Sequence, residues 1–125
     1  MAWQVLLDTE LVLLRVDPLE RTVEMTRTVQ DLPHDPIQLR AFFQTLVDAI
    51  GSVDRPRHTF VIDSRRTVGR NDEAFETVRR EFEQALFGGF EKVSVRVRTE
   101  VGRLQVQRYN ETTPESDMAI VKGDD

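Results

Sequence analysis

The chain has 125 residues, a net charge of −5, 39% hydrophobic and 31% charged residues, and no cysteine. That length and balance fit one compact domain with a core of its own, spanning 1–125 with 122–125 as a polar tail. The absence of cysteine excludes disulfides, thiolate metal ligands and a catalytic thiol, and the negative charge disfavours indiscriminate binding to nucleic acid or anionic lipid.

The chain begins with three strand-like runs. Trp3 to Leu7 is short and apolar, and Asp8 to Glu10 supplies a turn. Leu11 to Val16 is β-rich, and Asp17 to Arg21 is a proline-containing turn. Thr22 to Val29 alternates, with Val23, Met25 and Arg27 on one side and Thr22, Glu24, Thr26 and Thr28 on the other, as a half-buried strand does.

A helix is expected next. Asp35 is positioned as its N-cap and Pro36 as its first residue, where a missing N–H costs nothing. Ile37, Leu39, Phe42, Phe43, Leu46, Val47 and Ile50 give a broad apolar face at helical spacing, and Gly51 follows as a stop. Residues 52–57 read as loop, and His58 to Asp63 as a short central strand. A second helix is expected over Asp72 to Leu86, with Phe75, Val78, Phe82, Ala85 and Leu86 as its stripe and Gly88 to Phe90 ending it. Lys92 to Arg98 has period two, placing Val93, Val95 and Val97 inward and Ser94, Arg96 and Arg98 outward. Thr99 to Tyr109 fits a short helix or a strand. Met118 to Val121 fits a last short strand. Three strands followed by strand–helix alternation predict an α/β domain: a mixed four-to-six-stranded sheet with helices packed on one face.

The element order, with "FVID…GRND.AFE…LF.GF.KVSVRVRTEVGRLQVQR" over residues 60–108, resembles the STAS superfamily, named for sulfate transporters and anti-sigma-factor antagonists. Within it, the chain is similar to the SpoIIAA-like branch of small bacterial proteins. The resemblance implies a STAS-like single domain acting as a binding or interaction module. In anti-sigma-factor antagonists an Asp-Ser-Ser-Gly type motif opens the helix after the central strand, and a serine there is phosphorylated. Here Asn71, Asp72, Glu73 and Ala74 stand at those places, so the phosphorylatable switch is not carried over. For the branch, the resemblance also implies small apolar ligands or lipids.

The pointed segment is "SRRTVGRND" after the central strand. Asp63 is expected to end the strand and brace the loop, Gly69 to turn the backbone, and Asn71 or Asp72 to cap the second helix. Ser64, Arg65, Arg66 and Arg70 are left as the layer that a partner or an anionic group could reach. Phe42, Phe43, Phe87 and Phe90 are candidates for an apolar groove or a dimer surface. His34 and His58 lack metal-ligand spacing, and there is no GxSxG or P-loop signature. The expectation is therefore a non-enzymatic cytoplasmic module with no cofactor, no metal and no transmembrane segment. Its expected partner is a protein or a second copy, with carriage or sensing of a small apolar ligand or lipid as the alternative.

Overall fold

The computed structural model describes residues 3–66, 72–97, 107 and 119–122. The elements run β1 (Gln4–Asp8), β2 (Val12–Asp17), β3 (Thr22–Arg27), α1 (Pro36–Ala49), a 3-10 turn (Arg55–Arg57), β4 (Thr59–Asp63), α2 (Glu73–Phe87), β5 (Lys92–Val97) and β6 (Ala119–Lys122). All six strands form one sheet in sequential order, from β1 at one edge to β6 at the other. The β1–β2 and β2–β3 pairs are antiparallel; β3–β4, β4–β5 and β5–β6 are parallel. The sheet is thus mixed, as the three opening strands and the later alternation predict.

Period-two patterning gives the sheet two unlike faces. Leu14, Met25, Ile62 and Val95 lie in one cross-strand row, and Val16, Val23, Phe60 and Val93 in another. These residues form one apolar cluster with Leu39, Phe43, Leu46 and Ile50 of α1 and its end, and with Val78 and Leu86 of α2. Both helices therefore pack on the same face. Phe60, fully buried, meets Phe87 and Phe90 edge-on, with ring centroids 5.6 and 5.0 Å away. Phe43 stacks on Phe82 at 5.6 Å and joins the helices to each other. Burial of such rings is the largest favourable term available to a sheet face of this size.

Local chemistry sets the helix limits. Asp35 accepts the Ile37 N–H at 3.1 Å, and Pro36 follows it. Asp72 accepts the Phe75 N–H at 2.9 Å and so is the cap of α2, with Glu73 and Glu76 favourably placed in the first turn. Gly88 ends α2 where a Cβ would come within 2.5 Å of the Gln84 carbonyl oxygen, and Gly89 follows at φ +86°. The turn before β4 supplies a second stop: Arg55 donates to the Gly88 and Ala85 carbonyls at 2.8 and 2.6 Å, placing a cation at the negative end of α2.

Several expectations shift. Ile37, assigned to the apolar face of α1, is 74% exposed, because it stands two residues before the fully buried Leu39 and so about 200° around the helix from it. Ala85 is exposed on α2. The third strand stops at Arg27, which leaves Val29 exposed. Ser94 lies on the outward row where the alternation places it, yet it is buried there. Residue 122, assigned to the tail, belongs to β6. The ambiguous stretch 99–109, apart from residue 107, lies outside the described residues, as does Arg98. Among the described residues no helix is long and apolar enough to cross a membrane.

Candidate functional site

Asp63 closes β4 beside β3 and β5, on the face opposite the helices. Its carboxylate is already engaged. Oδ1 accepts the Arg65 backbone N–H at 3.2 Å and Arg65 Nε at 2.9 Å, and Oδ2 accepts Arg65 Nη2 at 2.7 Å. The Arg65 guanidinium, with a smaller contribution from Arg96, holds the carboxyl below its usual range although burial opposes this. Asp63 therefore braces the loop, as the sequence predicts, but it does so chiefly through a forked ion pair. Arg65 is thereby drawn from the reachable layer into the brace.

The structure places the other candidates unevenly. Ser64 is half-buried, and its backbone N–H bonds to the Arg96 carbonyl at 3.0 Å, tying the loop start to β5. Arg66 is exposed. Asp72 is the helix cap described above. Gly69, Arg70 and Asn71 lie outside the described residues. The four phenylalanines do not form one surface. Phe43 is buried and Phe42 half-buried against it, with centroids 5.5 Å apart, beside Phe75 and Phe82. Phe87 and Phe90 instead pack around Phe60, at the other end of α2.

Sequence reasoning missed a second charged constellation on the helix-free face. Arg15, Glu24, Val61 and Ser94 lie in one row, and Thr26, Asp63 and Arg96 in the next. Arg15 forks Glu24 Oε1 through Nε at 3.0 Å and Nη2 at 2.7 Å, and Thr26 donates to the same oxygen at 3.3 Å. Trp3 covers the Arg15 guanidinium at 4.1 Å. Arg96 Nη1 stands 4.0 Å from Glu24 Oε2. Glu24, Val61, Asp63 and Ser94 are all buried. The signal for this cluster was the same alternation that marked the strands: Arg15, Glu24 and Arg96 all fall at positions facing away from the apolar face.

Both described crossovers, through α1 and α2, use the same side of the sheet. Ligand crevices in open α/β sheets form where neighbouring connections leave to opposite sides, and β3, β4 and β5 make no such reversal. Neither histidine is placed for chemistry. His34 is exposed, and His58 Nδ1 lies 2.8 Å from the Asp54 carbonyl oxygen. Among the described residues no group of His, Asp or Glu could hold a metal ion.

No family model matches this chain, and neither a curated protein nor a solved structure is found that is similar to it.

Proposed function

We propose that this chain is a non-enzymatic, cytoplasmic interaction module of STAS-like type. Its contact surface lies at the end of the sheet where β3 and β4 finish and α1 begins. The observation that carries this reading is the pair of large apolar side chains exposed at that end, Val29 at 79% and Ile37 at 74%. Exposed Arg66, just past β4, adds charge to the same end. Apolar anchors rimmed by charge suit a protein surface better than a small substrate. Asp63, the carboxylate that closes β4, is spent on Arg65, which removes it as a candidate general base. With Asp72 acting as a cap beside Glu73, binding at this end is constitutive and needs no phosphate at the start of α2.

A second reading, a carrier or sensor of a small apolar ligand or lipid beside the helices, rests on the half-buried Phe42, Phe75 and Phe82 around Phe43. Native mass spectrometry after gentle purification separates the two. The interaction module yields a protein complex or a dimer that Val29→Asp with Ile37→Asp dissociates. A monomer carrying an apolar small molecule, retained in that double variant, would replace the first reading by the second.

A further inference from the structure

On the helix-free face, the carboxylate nearest Arg96 among the described residues is shared with another arginine. Asp63 gives both oxygens to Arg65, and Glu24 gives Oε1 to Arg15 and Thr26. What remains for Arg96 is Glu24 Oε2 at 4.0 Å, outside hydrogen-bond reach. At the centre of the face the three guanidiniums of Arg15, Arg65 and Arg96 thus meet the two carboxylates of Glu24 and Asp63. Among the described residues that is one more positive than negative charge, in a chain whose net charge is −5. The surplus is fixed in place: Arg96 sits in a strand paired on both sides, opposite Asp63 on β4 and Val121 on β6. Its side chain is 39% exposed, more than that of Arg15 at 32% or Arg65 at 30%.

We infer that Arg96 anchors a small oxyanion, a carboxylate or phosphate group, on the helix-free face of the sheet. A guanidinium presents a planar fork of N–H donors that matches such a group with two parallel bonds. The neighbouring carboxylates do not repel the anion strongly, because each is neutralised by another arginine. Arg66, exposed past the end of β4 and without an ion-pair partner among the described residues, adds long-range attraction. The start of α2 is the poorer place for an anion, since Asp72 and Glu73 already occupy it with negative charge. The inference does not depend on which surface carries a protein partner.

The test is an NMR titration at low ionic strength with inorganic phosphate and, separately, acetate. A parallel series measures sedimentation with phosphatidylcholine vesicles with and without phosphatidic acid. The expected result is saturable shifts centred on the Arg96 side-chain Nε–H and the amides of Val61, Ser94 and Arg96. Arg96→Gln should weaken binding at least about tenfold, the loss of a charge-assisted pair. Arg96→Lys, which keeps the charge but not the fork, should fall between the two. Arg80→Ala, an exposed arginine on α2, should leave affinity unchanged. Saturation by free phosphate or acetate alone identifies a soluble ligand, and Arg96-dependent sedimentation with phosphatidic acid identifies a headgroup. Lack of saturation with every probe, shifts centred on Asp72 to Phe75, or equal weakening by Arg80→Ala and Arg96→Gln would each overturn the site. Arg96→Lys keeps the test decisive if Arg96→Gln fails to fold.

Discussion

The two faces of the sheet are held by different physics. The helix-covered face is a continuous apolar row-and-ring assembly in which Phe60, Leu14, Val23 and the helix residues Leu39 and Leu46 are almost fully buried. Its attraction is non-directional and scales with the area removed from water. The opposite face also buries its centre, but it buries Glu24, Asp63 and Ser94 there. A buried charge is tolerated when it finds a partner of the right geometry, as Glu24 does in Arg15 and Asp63 in Arg65. The first face sets how stable the fold is. The second sets which side chains must occur together, since removing half of a pair leaves an uncompensated charge.

The largest break in this comparison is on the apolar face. Phe60→Ala should cost about 3–5 kcal/mol in urea or guanidinium unfolding, because it removes a buried ring and leaves Phe87 and Phe90 without their edge contacts. A loss under about 1 kcal/mol would show that the helices do not seal this face.

On the polar face the order of mutation matters. Glu24→Leu alone should cost about 3 kcal/mol, as Arg15 is left unpaired on the sheet, while Glu24→Leu combined with Arg15→Leu should recover most of that loss. Additive losses in this double-mutant cycle would mean that the pair is not coupled.

Asp63 sharpens the comparison through pH. Its folded carboxyl is held below its ordinary value by Arg65, so its contribution is fully present above the unfolded value of about 3.9 and is lost as pH falls through the depressed folded value. Asp63→Asn should therefore cost about 1.5–3 kcal/mol near neutral pH. The difference from the natural chain should shrink in acid and be smallest below the depressed value. A gap that is constant from neutral pH down to strong acid would exclude the ion pair as its cause.

Smaller effects are expected away from both faces. Asp72→Ala removes the cap of α2 and should lower stability by about 1 kcal/mol, with Asp72→Ser restoring most of it. The Arg40–Glu81 fork joins α1 and α2 on the surface at 2.8 Å. Arg40→Ala should barely move the unfolding midpoint, and salt should erase any difference; a large, salt-independent loss would show a structural role that its exposure does not suggest.

Much of the fold was legible because local signals agreed. Strand alternation placed Val23 and Met25 with Val93, Val95 and Val97 on one face. Asp35–Pro36, Asp72 and the glycine pair marked the helix limits, since caps and stops act within one turn of chain. The roles of Asp63 and Asp72 were legible for the same reason, as each acts on backbone N–H groups two or three residues ahead. Pairing across the sheet was not legible. Glu24 lies nine residues from Arg15 and farther still from Arg96, and only the strand order and register bring them together. Arg55 read as loop charge, yet it closes a helix thirty residues later. The separation of Phe42 and Phe43 from Phe87 and Phe90 followed from the helix packing, not from the spacing of the aromatic residues. The sequence by itself determined the elements, their caps and the apolar face, because those depend on neighbours a few residues apart. Only the tertiary structure decided which charges meet on the other face and which arginines share a carboxylate, because burial and ion pairing depend on distances that register sets.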